Sequence, residues 1–213
     1  MNWIPAVQHY ILRVVANVES LASGRRELLS GVAQYIGQRA QSGKPAKLVF
    51  ICTHNSRRSH LGEVFCRIAL CHFGIPGVVT ASGGTEVTAC HPNTLAALER
   101  AGLRVLRGDA PANPVHEIFY AESEPAIHAY SKRFDAVGNT DSPFAAMMCC
   151  DHADQACPVI PGADDRFALQ YQDPKVADGS ETESQVYDER CFEIATEMFA
   201  MASMIKTAGK VAE

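Results

Sequence analysis

Residues 47–63, KLVFICTHNSRRSHLGE, hold the densest chemistry in the chain: a thiol, Cys52, followed six positions later by Arg58 and then by Ser59. Lys47–Cys52 is an apolar run of the kind that makes a buried strand, and a helical pattern follows from Ser59 to Phe73. A strand, a short polar loop and a helix start are the parts of an oxyanion cradle. The loop amides of Thr53, His54, Asn55, Ser56, Arg57 and Arg58 are expected to converge on one anion, with the helix dipole adding to their field. A thiol in that field is expected to act as a thiolate nucleophile. Arg58 can fork two N–H groups onto a tetrahedral or trigonal-bipyramidal oxyanion, and the Ser59 hydroxyl can donate to the Cys52 sulfur.

This Cys-x5-Arg-Ser pattern, set between a strand and a helix, resembles the low-molecular-weight tyrosine phosphatase superfamily, which includes the thioredoxin-coupled arsenate reductases. Two positions depart from it. His54 stands where the family usually has a small residue, often Gly, and is expected to need a backbone shape that non-glycine residues adopt less readily. Arg57 stands where Cys or Leu is common, adding positive charge beside the anion and crowding the mouth of the site. The resemblance implies a general acid in a late Asp-Pro pair, and Asp173-Pro174 matches in order and context. By itself Asp-Pro is also an ordinary turn signal, and Asp164, Asp165 and Asp178 are competing carboxylates expected on loops. Asn55 is expected to shape the loop through side-chain hydrogen bonds. Glu63 and Ser82 match positions that some arsenate reductases use to organise the loop or a monovalent cation; a surface Glu and a turn Ser are the plainer reading. His54 and His60 flank the loop and would raise its positive potential.

The stretch Cys150-Asp-His-Ala-Asp-Gln-Ala-Cys157-Pro158 separates the branches of the family. A phosphatase releases its phospho-cysteine with water and needs no further thiol, whereas a reductase must draw two electrons from cysteine. The arsenate reductases carry a Cys-x6-Cys-Pro pair after the third strand. The resemblance therefore implies Cys150 as the resolving thiol and Cys157 as the shuttle thiol, recycled by thioredoxin. If residues 151–157 are helical, the two Cα atoms lie roughly 10 Å apart, against about 5.5 Å in a disulfide, so the segment must unwind on oxidation. Adjacent strand residues face opposite ways, so only one of Cys149 and Cys150 can face Cys52; the spacing to Cys157 selects Cys150 and leaves Cys149 to the core. A zinc site from Cys149, Cys150, His152 and Cys157 is the metal alternative, although its spacing fits no common pattern. Cys66, Cys71 and Cys191 read as buried helix thiols, and Cys90 as an inert one.

The rest of the composition bounds the setting. A formal charge of −5 gives no basis for binding nucleic acid or an anionic membrane surface. No apolar stretch approaches the roughly 20 residues that span a bilayer, and the start MNWIPAVQHY has no basic n-region. A cytoplasmic location follows as the expectation, in which the eight cysteines are thiols by default.

Around the loop, the pattern predicts an α/β fold: a three-layer, doubly wound sheet of about four parallel strands like that of the low-molecular-weight phosphatases. The strands are expected at 47–52, 77–84, 144–150 and 166–171, with helices at 59–73, 93–101 and 185–206. Residues 1–46 read as an N-terminal extension, a helical hairpin with apolar stripes at Val7, Ile11, Val14, Val15 and Val18 and at Leu28, Leu29, Val32, Tyr35 and Ile36. It suits a packing arm or a homodimer surface, and residues 47–213 form the catalytic domain. Residues 115–120 and 126–130 predict a β-hairpin insert that walls the site or covers a sheet edge. Two enzymatic functions fit: arsenate reduction coupled to thioredoxin, or hydrolysis of phosphotyrosine or aryl phosphates. A third, non-enzymatic reading is an oxyanion or redox sensor.

Overall fold

The computed structural model describes residues 1–136, 138, 142–156 and 159–210. In chain order the elements are α1 (Pro5–Val15), α2 (Ser23–Gln41), β1 (Ala46–Cys52), α3 (Arg58–Phe73), β2 (Val78–Gly84), α4 (Pro92–Arg100), β3 (Arg104–Leu106), β4 (His116–Phe119), β5 (Ile127–Ala129), β6 (Phe144–Met148), α5 (Asp151–Ala156), β7 (Ala163–Phe167) and α6 (Glu183–Lys210). A 3₁₀ turn, Pro174–Ala177, precedes α6. No helix of the described residues is long and apolar enough to cross a membrane.

The parallel sheet has the order β2-β1-β6-β7. From β1 the chain steps outward to β2, then crosses back to β6 and β7, so the order reverses between β1 and β6. Ligands of open α/β sheets bind at such a switch point, beyond the carboxyl ends of the strands. Every residue of β1 is buried, as its unbroken apolar run requires of a strand covered on both faces. The Phe50 ring presses on α3, and a Cβ on Gly62 would come within 2.4 Å of it. Burying that ring contributes roughly 2–3 kcal/mol, which is why glycine stands in mid-helix despite its poor propensity. At the far end of α3, Gly74 takes the left-handed cap at φ 66.

Several boundaries differ from expectation. The third strand ends at Met148, because Cys149 and Cys150 already turn toward α5. The fourth runs Ala163–Phe167; the chain then leaves the ladder, and the Tyr171 amide bonds back to the Cys149 carbonyl (3.2 Å). Ser23-Gly24 opens α2 rather than breaking the hairpin.

The insert is a three-stranded antiparallel sheet, β3-β4-β5, rather than a hairpin. Three residues, Arg104–Leu106, are too few to show a period; pairing with β4 and the Arg104 guanidinium over the Phe119 ring (4.7 Å) hold them. The chain leaving the insert runs along the exposed edge of β2. There Gly84 donates to the Lys132 carbonyl (2.8 Å) and accepts from the Phe134 amide (2.9 Å). Glycine is required there, since a Cβ on Gly83 would lie 2.3 Å from Phe134 Cα.

The N-terminal hairpin shares the main core. Val7, Ile11, Val14, Leu29, Val32 and Ile36 join the cluster containing β1 and α6. The stripes considered for a dimer surface are thus covered within the chain, because α6 supplies an apolar partner for α1, α2, α3 and α4 together. The N-terminal segment also touches the insert, with Ile4 donating to the Tyr120 carbonyl (3.2 Å) and Glu122 to that of Asn2 (2.8 Å).

Candidate active site

Cys52 ends β1 at the switch point, 4% exposed. Its sulfur lies 3.1 Å from the Ser59 hydroxyl, which accepts a hydrogen bond from Asn55 Nδ2 (2.9 Å). A hydroxyl that accepts from Asn55 has its own proton free for the sulfur.

The loop's carbonyls point outward. Those of Cys52 and Thr53 accept from the amides of Thr85 (3.2 Å) and Glu86 (2.8 Å). That of His54 accepts from the hydroxyls of Ser131 (2.8 Å) and Thr88 (3.1 Å), and that of Ser56 from the His91 amide (3.0 Å) and the Thr94 hydroxyl (3.2 Å). In a planar trans peptide the next N–H points opposite to the carbonyl, so outward carbonyls turn successive amides inward. This is the donor array an oxyanion needs. The left-handed residue of the loop is Asn55 (φ 45), not His54. Asn tolerates that region by bonding locally, and the Asn55 Oδ1 accepts from the Lys132 amide (3.0 Å). His54 therefore occupies a place that makes no demand for glycine, and its ring faces Glu86 (3.4 Å) on the surface. Gly84 lets the loop close: a Cβ there would lie 2.7 Å from the Thr53 carbonyl and 2.8 Å from the Asn55 amide.

Arg58 opens α3 and reaches across the site. Its Nη2 pairs with Asp173 Oδ2 (2.6 Å), its Nη1 donates to the Tyr171 carbonyl (3.0 Å), and its Nε is buried without a partner. Asp173 also caps the 3₁₀ turn, its Oδ1 accepting from the Lys175 amide (3.1 Å). Asp173 thus caps the turn with one oxygen and pairs with Arg58 through the other. Asp164 and Asp165 lie in β7, where Asp164 accepts from the Tyr35 hydroxyl (2.9 Å), so neither joins the loop.

Arg57, expected at the anion, is committed elsewhere. Its Nε donates to the Tyr187 hydroxyl (2.6 Å) and its Nη2 to Asp178 Oδ2 (2.8 Å). Tyr187 in turn donates to Asp178 Oδ1 (2.7 Å), and its ring stacks on His91. Burial pushes the Asp178 carboxyl up, but the Tyr187 bond and the charges of Arg57 and His91 outweigh it and hold the group below the usual carboxylate range.

Beneath the loop, His60 is buried, with Nδ1 3.3 Å from the Ser82 hydroxyl and Nε2 unpartnered. Burial, helped by the Lys132 charge, lowers its pKa to about 3, so it is neutral and adds no potential to the loop. Glu63 beside it bonds Ser82, and burial raises its carboxyl against the pull of Lys132. The neutral His60 ring contributes stability that is present above its unfolded value of 6.5 and is lost as pH falls toward about 3, while Glu63 works in the opposite sense. Ring carbon shifts of His60 should therefore stay flat in NMR from about pH 8 to about pH 4.5; an inflection near pH 6 would show a solvated imidazole.

Three thiols meet at this end of the sheet. The Cys150 sulfur lies 3.6 Å from the Thr53 hydroxyl and accepts from the Ala153 amide (3.4 Å) at the start of α5. Cys149 is fully buried in the core, as expected. The β1–β6 register pairs Ile51 with Met148, and the Cys149 amide donates to the Ile51 carbonyl (2.7 Å), so this core thiol also sits beside Cys52. Burial, together with Cys52 and Cys150, pushes the Cys149 thiol well up, against Arg58. Cys66, Cys90 and Cys191 are buried thiols, pushed up chiefly by burial to well above the ordinary value. Cys157 and Pro158 lie outside the described residues, while 151–156 form the helix considered for the segment between the two thiols. Among the described residues no group of three or more His, Cys, Asp or Glu is placed to hold a metal. Tyr171, Tyr187, His91, Ser131 and Lys132 had carried no signal in the sequence, because each reaches the site from a distant element.

No family model matches the chain. An arsenate reductase of Shouchella clausii (strain KSM-K16) is 26% identical over 136 residues, which cover 64% of this chain and 79% of that protein. The YwlE arginine phosphatase of Geobacillus stearothermophilus matches in structure with a TM-score of 0.52 at 17% identity, covering 79% of this chain and 98% of that one. A low-molecular-weight phosphotyrosine phosphatase of Vibrio cholerae O395 gives 0.52 at 13% identity, covering 77% and 99%. These structures are covered almost whole, so the extra length is on the side of this chain. The chain therefore has the fold of the low-molecular-weight tyrosine phosphatases, with a Cys-x5-Arg-Ser loop at the switch point of its sheet.

Proposed function

We propose that this protein is an arsenate reductase that uses Cys52, Cys150 and Cys157 in turn and draws its electrons from thioredoxin. The observation that carries the reading is Cys150, a second thiol packed against the oxyanion loop at Thr53, at the head of a short helix. Arsenate enters the cradle and displaces Asp173 from Arg58, whose guanidinium then holds the equatorial oxygens with the loop amides. The Cys52 thiolate attacks arsenic(V), and Asp173 protonates the leaving hydroxide as water. Cys150 as thiolate then attacks the Cys52 sulfur. The S–As bond breaks with its electron pair passing to arsenic, arsenite leaves, and a Cys52–Cys150 disulfide remains. Attack by Cys157 on Cys150 frees Cys52, and the thioredoxin dithiol reduces the Cys150–Cys157 bond, supplying the two electrons.

The buried carboxylate of Glu63, with Oε2 unpartnered, and the Ser82 hydroxyl offer a monovalent cation two oxygen donors beneath the loop; the Lys132 charge already acts on that carboxylate. A cation there would steady the loop through α3.

The competing reading is a phosphatase using Cys52, Arg58 and Asp173 alone, and the phosphatase names of the solved structures with this fold favour it. The two separate in one experiment: NADPH consumption with arsenate, thioredoxin and thioredoxin reductase, alongside p-nitrophenyl phosphate hydrolysis. Cys150→Ser and Cys157→Ser should each abolish NADPH consumption, and Cys149→Ser should retain it. Equal hydrolysis of the aryl phosphate by all variants, with no NADPH consumed by wild type, would establish the phosphatase. Loss in Cys149→Ser with activity kept in Cys150→Ser would make the register neighbour of Cys52 the resolving thiol.

A further inference from the structure

We propose that Arg57, Asp178, Tyr187 and His91 form a specificity clamp that admits a bare tetrahedral oxyanion and excludes organic phosphate monoesters. The inference rests on the oxyanion-site reading above and assigns the residues that set its substrate class. Three oxygens of a bound anion face the loop amides and Arg58. The fourth, the leaving oxygen, must face Asp173, because the acid has to reach it in line with attack by Cys52. In a monoester that fourth oxygen carries the organic group, which must leave past the Asp173 segment.

The clamp holds that segment against the loop. Asp173 and Asp178 bracket the turn Pro174–Ala177, and each is paired with one of two consecutive loop arginines: Asp173 with Arg58 (2.6 Å) and Asp178 with Arg57 (2.8 Å). Substrate relieves the first pair, since the anion replaces Asp173 on Arg58. It offers nothing to the second. Arg57, Tyr187 and Asp178 close a three-membered ring of hydrogen bonds, Tyr187 is fully buried, and His91 stacks on its ring at 5.9 Å. Four elements meet there: the oxyanion loop, the start of α4, the 173–178 segment and α6. Arsenate carries only a hydroxyl on its fourth oxygen and needs no passage; a phenyl group does.

Binding can be read without turnover in a Cys52→Ser background by calorimetry with inorganic phosphate and phenyl phosphate. The parent should bind phosphate at least about tenfold tighter than phenyl phosphate. Adding Asp178→Ala, or Tyr187→Phe with Asp178→Ala, should bring the two constants within about threefold, with phosphate itself moving by less than about threefold. Parallel changes for both ligands, or a parent that binds both equally, overturn the clamp while leaving the oxyanion site standing. Absence of phosphate binding in every variant overturns the site and the clamp together, a different signature. Circular dichroism on each variant separates misfolding from opening, and Tyr187→Phe, which keeps the buried ring, supplies a folded test if Asp178→Ala does not fold.

Discussion

Cys52→Ser is expected to abolish turnover on every oxyanion substrate, with kcat falling on the order of 10⁴-fold or more, while inorganic phosphate should still bind. The asymmetry follows from how the site is built. Chemistry needs the sulfur, held 3.1 Å from the Ser59 hydroxyl. Binding needs the inward amides, and those are set by carbonyls tied outward to the 85–94 stretch and to Ser131, none of which involves the Cys52 side chain. A serine hydroxyl is a far weaker nucleophile at neutral pH and a poorer leaving group, and no neighbouring base compensates for it. Thioredoxin-coupled NADPH consumption with arsenate, with calorimetry for phosphate, tests both halves. Residual turnover within about tenfold of wild type would place the nucleophile elsewhere. Turnover that disappears with the thiol also eliminates the reading of this protein as a non-enzymatic sensor.

The largest expected loss of stability comes from Glu197, far from Cys52 in sequence and 2% exposed. Its carboxylate accepts from Arg25 Nε (2.5 Å) and Nη2 (2.8 Å), and from the Tyr171 hydroxyl (2.6 Å). Arg25 also lies over the Tyr171 ring at 4.9 Å. Glu197→Ala strands a guanidinium and a phenol in the interior, and breaking such a pair from one side costs about 3–5 kcal/mol. The Arg25 side chain keeps some solvent, at 21% exposure, which favours the lower end. For a chain of this size about 3 kcal/mol corresponds to roughly 10 °C in Tm. Arg25→Met with Glu197→Met removes both charges at similar volume and should cost far less than Glu197→Ala alone. A shift under about 2 °C for Glu197→Ala would show that water takes over the carboxylate's role. The same network reaches the site, because the Tyr171 carbonyl that anchors Arg58 belongs to the residue Glu197 holds. Glu197→Ala should therefore weaken oxyanion binding as well.

Local sequence determined what neighbouring residues decide among themselves. The apolar run 47–52 can only be a strand buried on both faces, the polar stretch after it can only be a loop, and Arg58 onward has the period of a helix. Cys52, Asn55 and Ser59 came together as their spacing implied, because a strand–loop–helix fixes these eight residues against one another with little outside help. Asp173-Pro174 was legible for a similar reason, since a short capped turn is a local structure.

The tertiary structure decided everything that depends on which strand lies beside which. Spacing along the chain singled out Cys150 and put Cys149 in the core, where it lies; only the register of β6 on β1 shows that this core thiol is next to Cys52, a relation between residues nearly a hundred positions apart. The sequence placed Arg57 at the anion, and only the arrival of Tyr187 and Asp178 turns it away. The positive φ fell on Asn55 rather than His54, and the Lys132 amide, brought in by the insert, donates to the Asn55 Oδ1 there. The extra insert strand, β3, too short to carry a period, exists through its pairing with β4. The N-terminal stripes found cover in α6, which the sequence did not point to. Period and propensity act over a few residues, whereas charge pairing, register and burial act across the fold, so the Cys52–Ser59 loop was legible in the sequence and its surroundings were not.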